Sequence, residues 1–173
     1  MLVALSPDNG WEFLTAMSQA WEWAQSRPRA YCDTGGNQTI EEYLAEAKER
    51  AKKHLAVIDD GKLISVITVR LVTDGHFEIH VTSPRKTQKQ PILDALKIVS
   101  ENLFRLLGAQ SITTTCPIYG AHEHKGSRAL AEACGMTPTG LSWPSIHDES
   151  ITWLEYEITK EQFYGKSEER TEQ

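Results

Sequence analysis

Glu78 and His80 stand two residues apart in Phe77-Glu78-Ile79-His80-Val81, a run that alternates like a strand, so both side chains leave the same face. A carboxylate beside an imidazole is a pairing that can take up and release protons near neutral pH. Ser83-Pro84 follows, and then Arg85, Lys86 and Lys89 precede an apolar-periodic segment that opens at Pro91. Cations beside a helix N-terminus attract anions, because the unpaired N–H groups and the helix dipole act in the same sense. His122, Glu123 and His124 invite a metal reading, but histidines at i and i+2 do not share a helix face and no third and fourth ligand is evident. No metal is expected. Cys32, Cys116 and Cys134 are odd in number and lack CxxC spacing, which points to reduced, packed thiols rather than disulfides, zinc or nucleophiles.

The elements that must hold these residues follow from periodicity. Residues 2–5 form a short apolar strand closed by Ser6-Pro7-Asp8-Asn9-Gly10, and Trp11, Leu14, Met17 and Trp21 recur at helical spacing. The tryptophans at such spacing are expected in the core. A loop over 26–39 leads to Thr39, the cap of a second helix reaching about Lys53. Period-two runs at 54–58, 63–72 and 76–81, separated by Asp59-Asp60-Gly61-Lys62 and Thr73-Asp74-Gly75, predict an antiparallel meander. A helix from Pro91 carries apolar residues at 92, 96, 99, 103 and 106 and stops at Gly108. A strand at 111–116, a helix over 124–134 ended by Gly135, and strands at 141–143 and 151–158 complete the pattern.

This order predicts one mixed α/β domain over residues 1–164, followed by a disordered polar tail at 165–173. The 173 residues, 40% hydrophobic and 24% charged, suffice for one core. A net charge of -6 argues against nucleic acid as a partner. Without an apolar run of 18 residues or a basic, apolar leader, the expectation is a cytoplasmic protein with no membrane association.

The order of elements and three stretches resemble the GNAT superfamily of acyl-CoA-dependent N-acyltransferases. The stretches are 77–84, like the family's fourth strand running into its pyrophosphate loop; 91–108, like the helix after that loop; and Ser127-Arg128-Ala129-Leu130-Ala131-Glu132-Ala133-Cys134-Gly135-Met136, like its late helix. The resemblance implies a single GNAT-like domain with a mixed, mostly antiparallel central sheet flanked by helices. It also implies acetyl-CoA as co-substrate, bound by Val81, Ser83, Arg85, Lys86, Thr87, Gln88, Lys89 and Gln90. The family loop is written Arg or Gln, two residues, Gly, one residue, Gly or Ala; here those positions fall on Thr87, Gln90 and Ile92, and no glycine is present. Pro91 also lacks an N–H.

For catalysis the resemblance implies a base, Glu78 or His80, and a tyrosine that protonates the departing thiolate. The family's tyrosine position holds Ala131, which leaves Tyr119, just after the fifth strand, as a substitute. Trp143 borders a loop near the acceptor in such folds. Two functions follow: an N-acetyltransferase acting on an amine of a small molecule or protein, or a catalytically silent GNAT fold serving as an interaction or structural component. Virion and assembly proteins of tailed phages provide examples of the second, which would have a protein partner and lie in the host cytoplasm or virion. Oligomeric state is not encoded in any motif.

Overall fold

The computed structural model describes residues 1–33, 35–119, 122–123 and 125–168, with backbone alone for 122, 123, 125 and 166–168. The chain runs β1 (Leu2–Leu5), α1 (Gly10–Gln25), two 3-10 turns (Pro28–Tyr31 and Gly35–Asn37), α2 (Ile40–Ala47), β2 (Lys52–Asp59), β3 (Lys62–Thr73) and β4 (His76–Thr82). It continues with α3 (Gln90–Leu106), β5 (Ser111–Tyr119), β6 (His122–Glu123), α4 (Lys125–Ala133), β7 (Thr137–Pro144), β8 (Ile151–Thr159) and α5 (Lys160–Glu168). The expected α/β order is present throughout.

Local chemistry sets most boundaries. Thr39 caps α2 reciprocally: its hydroxyl accepts from the Glu42 amide at 3.3 Å while the Glu42 carboxylate accepts from the Thr39 amide at 2.8 Å. The helix ends at Ala47 rather than near Lys53, because Lys52 and Lys53 pair with Arg70 and Val69 of β3. Strand pairing there overrides helical propensity. α4 closes in a Schellman turn, with the Met136 amide on Ala131 O at 3.0 Å, the Gly135 amide on Glu132 O at 2.9 Å, and Gly135 at φ 82°.

The sheet order is β1-β2-β3-β4-β5-β8-β7, with β6 beside β5. Every pairing is antiparallel except β4 with β5, which the α3 crossover makes parallel. α3 buries Ile92, Ala95, Leu96, Val99, Leu103 and Phe104 against Phe77, Ile79 and Ile112 of the sheet. The opposite face carries α1 and α2, where Phe13, Met17, Ala20 and Ala47 pack on Val66. Each large apolar side chain so buried stabilises the fold by about 1.5–3 kcal/mol.

The α1 stripe differs from the expected one. Trp11 is 82% exposed and Leu14 is exposed, whereas Met17 is buried as its spacing requires, with Phe13, Ala20 and Ala24 beside it. Small residues near its C-terminal end allow close approach of the 3-10 turns. β7 is longer than 141–143, its pattern obscured by Pro138 and Gly140 where the register with β8 shifts. At the C-terminal end, Phe163 lies 5.1 Å from the Phe104 ring, anchoring α5. Residues 166–168, expected in a disordered tail, continue that helix, and 169–173 lie outside the described residues.

Candidate functional site

The parallel pairing of β4 with β5 covers only His76↔Ser111, Phe77↔Ile112 and Glu78↔Thr113. Beyond it the strands diverge, and β5 pairs with β8 all the way to Tyr119↔Ile151. The exposed edge of β4 is met by side chains: the Thr114 hydroxyl donates to Ile79 O at 2.7 Å, the Tyr31 hydroxyl faces Val81 O at 3.5 Å, and Arg27 Nη2 donates to Ser83 O. A cavity of about 350 Å³ fills the divergence. Met17, Tyr43 and Glu46 line it from the α1/α2 layer, and Leu96, Leu130 and Ala131 from the α3/α4 layer. The cavity therefore passes through the sheet.

Glu78 and His80 share one face of β4, as their alternation requires, and both line this cavity. His80 Nε2 lies 3.1 Å from Glu78 Oε1, and Arg70 Nη2 contacts Oε2 as an ion pair without a well-aligned hydrogen bond. Burial alone would raise the Glu78 pKa, but the hydrogen bond and charge of His80 and the Arg70 guanidinium outweigh it and hold the carboxyl at about 2. Glu78 is thus an ionised anchor and a weak base. Its bond to Nε2 selects the imidazole tautomer protonated there, leaving Nδ1 with the basic lone pair.

Arg70 was not expected from the sequence. The hairpin turn pairs Thr73 with His76, and a bulge between Leu71 and Thr73 then shifts the register by one residue, which places Arg70 directly opposite Glu78 and Thr68 opposite His80. Counting back from the turn alone would have set Leu71 against Glu78, so the bulge hides both residues from a sequence reading.

An aromatic wall surrounds the pair: Tyr31, Tyr43, Trp143 and Trp153 all line the cavity. Of these only Trp143 was expected. Tyr43 is bound through its hydroxyl to Thr82, and burial raises its pKa. Asp33 staples the first 3-10 turn to the β7–β8 loop, accepting from Ser145 Oγ at 2.5 Å, Trp153 Nε1 at 2.6 Å and the Ile146 amide at 3.3 Å. Glu46 accepts from Gln38 at 2.6 Å and pairs with Lys52. Among the described residues, then, the three carboxylates lining the cavity all have internal partners.

The expected donor-binding residues occupy one stretch at the mouth of the divergence. Val81 lines the cavity and Ser83 offers its carbonyl to Arg27. Arg85, Lys86, Gln88, Lys89 and Gln90 are exposed, and Thr87 is half-buried. In the first turn of α3 the Leu93 amide bonds to Lys89 O at 3.0 Å and Pro91 has no N–H, so Gln90 and Ile92 carry the remaining donors. Gln90 turns outward to Asp94 at 2.8 Å, Ile92 is buried in the core, and neither lines the cavity. Neither side chain plugs it.

Tyr119 stands elsewhere. It packs on Cys32, Ile151 and Trp153 and is absent from the cavity lining, while burial, with the Cys32 charge next, pushes its hydroxyl up to about 12. Ala131, at the family's tyrosine position, does line the cavity. Cys32 and Cys116 are buried free thiols; Cys134 lines the cavity, and burial raises its pKa to about 11. Among the described residues no group of His, Cys, Asp and Glu is placed to hold a metal ion, and His124 lies outside them. No described helix is long and apolar enough to cross a membrane.

No family model and no curated protein sequence matches the chain. Solved structures do. A point mutant of the spermidine N-acetyltransferase SpeG from Vibrio cholerae superposes with a TM-score of 0.71 at 14% identity, covering 96% of this chain and 99% of that one. A second mutant of the same enzyme gives 0.72 at 14% identity, covering 96% and 97%. A probable acetyltransferase gives 0.64 at 14% identity, covering 93% of each chain. At such identities the likeness establishes the fold: this chain is a GNAT-fold α/β domain, as the resemblance implied.

Proposed function

We propose that the protein transfers an acetyl group from acetyl-CoA to an amine. The observation that carries this reading is the cavity through the β4–β5 divergence, with the Glu78–His80 pair on its wall. The likeness to a spermidine N-acetyltransferase and to a probable acetyltransferase supports the same class. The residues present suit acetyl-CoA in two respects and depart in one. The divergence is open, and Arg85, Lys86 and Lys89 are exposed at its mouth; the glycines that would let backbone amides approach a pyrophosphate are missing.

Bound there, acetyl-CoA would supply an acetyl group activated as its thioester. The chain's own residues do the rest. Arg85, Lys86 and Lys89 hold the phosphates, with Thr87, Gln88 and Gln90 beside them and Val81 and Ser83 along the β4 edge. His80 takes the acceptor's proton at Nδ1, and Glu78 compensates the resulting charge at Nε2. Arg70 keeps Glu78 ionised. The hydroxyl that protonates the departing thiolate is Tyr119 only if the 3-10 turns rearrange; Tyr31 and Tyr43 already line the cavity.

The acceptor is an amine of a small molecule or protein that need not be a polycation. Free carboxylates would be required to select several ammonium groups, and Glu46, Glu78 and Asp33 are already engaged. The silent-fold alternative gains no support, since neither Gln90 nor Ile92 lines the cavity. Calorimetric titration with acetyl-CoA tests the proposal. Binding with a rise in melting temperature supports it, followed by a rate assay over an amine panel that includes spermidine. No binding at millimolar acetyl-CoA would reject it.

A further inference from the structure

What this site lacks is a backbone anion holder, because the loop that should cradle phosphates has no glycine and one fewer amide. A guanidinium from a distant part of the chain stands beside it. Arg27, between α1 and the first 3-10 turn, reaches the end of β4 and donates from Nη2 to Ser83 O and, at 2.9 Å, to the Tyr31 hydroxyl. Its guanidinium carbon lies 5.0 Å over the Tyr31 ring, which fixes the plane of the group.

Two features separate Arg27 from an ordinary structural arginine. No carboxylate pairs with it among the described residues, whereas Asp33, Glu46, Lys52, Arg70 and Glu78 on the nearby cavity wall all have partners. Its Nε is buried with no hydrogen-bond partner. A half-buried cation with an unsatisfied donor is costly unless an anion completes it. The Ser83 carbonyl it touches lies one residue before Pro84, so Arg27 stands at the start of the loop that carries Arg85, Lys86 and Lys89.

We propose that Arg27 is a phosphate-binding residue for the acyl donor, standing in for the absent glycine loop, with Tyr31 positioning its guanidinium. This rests on the acetyl-CoA reading above and adds a ligand from outside the loop that the family resemblance points to. An arginine suits the task because, with Nη2 held by Ser83 O and Tyr31, its permanent charge and its Nη1 hydrogens remain for a phosphate, whereas a backbone cradle needs glycine.

The test is calorimetric titration of the wild-type protein, Arg27→Gln and Arg27→Ala with CoA and with pantetheine, which lacks the nucleotide and phosphates. Arg27→Gln keeps a donor for Ser83 O and removes the charge, so it guards against misfolding of the alanine variant, and melting curves verify both. The expected result is a loss of about 10- to 100-fold in CoA affinity, with pantetheine affinity unchanged and a weaker salt dependence of CoA binding. Tyr31→Phe should give a smaller loss of the same kind. Equal CoA affinity in a folded Arg27→Gln protein overturns the inference alone, as does an equal loss for both ligands. Failure of the wild-type protein to bind CoA removes the acetyl-CoA reading beneath it.

Discussion

Arg70 lies directly across the β3–β4 hairpin from Glu78, and its guanidinium contacts Oε2 while His80 holds Oε1. The carboxylate is thereby fixed on both oxygens, 9% exposed, with its negative charge aimed at an imidazole on the cavity wall. Replacing Arg70 with alanine leaves that buried carboxylate half-compensated. We expect a loss of about 1–3 kcal/mol in urea denaturation and a rise in the Glu78 pKa from about 2 toward its ordinary range, readable by carboxyl NMR titration.

The base assignment divides the pair. On the proposed mechanism, His80→Ala should lower acetyl transfer by about 10²–10⁴-fold, because the proposed proton acceptor is removed. Glu78→Gln should cost less, since a neutral amide oxygen can still accept from Nε2 without stabilising the imidazolium. Single-turnover rates at saturating donor decide this; unchanged turnover in both variants would exclude the pair.

Acid should weaken the fold in two windows. His54 is 4% exposed, donates from Nε2 to Ala47 O at 2.8 Å and accepts at Nδ1 from Thr68 at 2.9 Å, so it is held neutral. Burial, reinforced by the Lys52 and Lys53 charges, lowers its pKa below the ordinary 6.5. Its contribution is therefore present above about pH 6.5 and declines as the pH falls through the folded value. Glu78, with a folded pKa of about 2 against an ordinary 4.5, contributes above pH 4.5 and loses that contribution between 4.5 and 2. Urea midpoints measured from pH 8 to pH 3 should show both steps, and His54→Gln should remove the upper one.

Gly36 tests how the 3-10 turns hold the β4 edge. A Cβ there would stand 2.7 Å from both Pro28 O and Tyr31 O, which are backbone atoms and cannot step aside cheaply. Gly36→Ala should destabilise the protein by about 1–3 kcal/mol and shift Tyr31 and Arg27 from β4. Melting temperature and CoA titration together measure this.

Filling the cavity provides a converse check. Ala131 is 4% exposed on its α4 wall. Ala131→Leu should cost no more than about 1–3 kcal/mol by overpacking while reducing acetyl-CoA binding. Retained affinity would mean that the donor lies elsewhere.

Much of this arrangement is readable from local pattern. Two-residue alternation puts Glu78 and His80 on one face, Thr39 with Glu42 announces a capped helix, and Gly108 and Gly135 stop α3 and α4 with φ values of 67° and 82°. Each depends on neighbours a few residues apart, which the order of residue types determines by itself. The order of strands and helices, and with it the GNAT-fold expectation, follows from the same short-range periodicities.

Tertiary structure decided the rest. Whether Trp11 or Phe13 faces inward turns on how closely α1 can approach the sheet. Tyr119, expected among the catalytic groups, packs against Cys32 and Trp153 instead, while Asp33 joins Trp153 across 120 positions and Arg27 reaches Ser83 across 56. Contacts of that separation form only when the strands have diverged and the turns have folded over the gap. No spacing along the chain specifies them, because the energy that selects them comes from packing the two helical layers on one sheet.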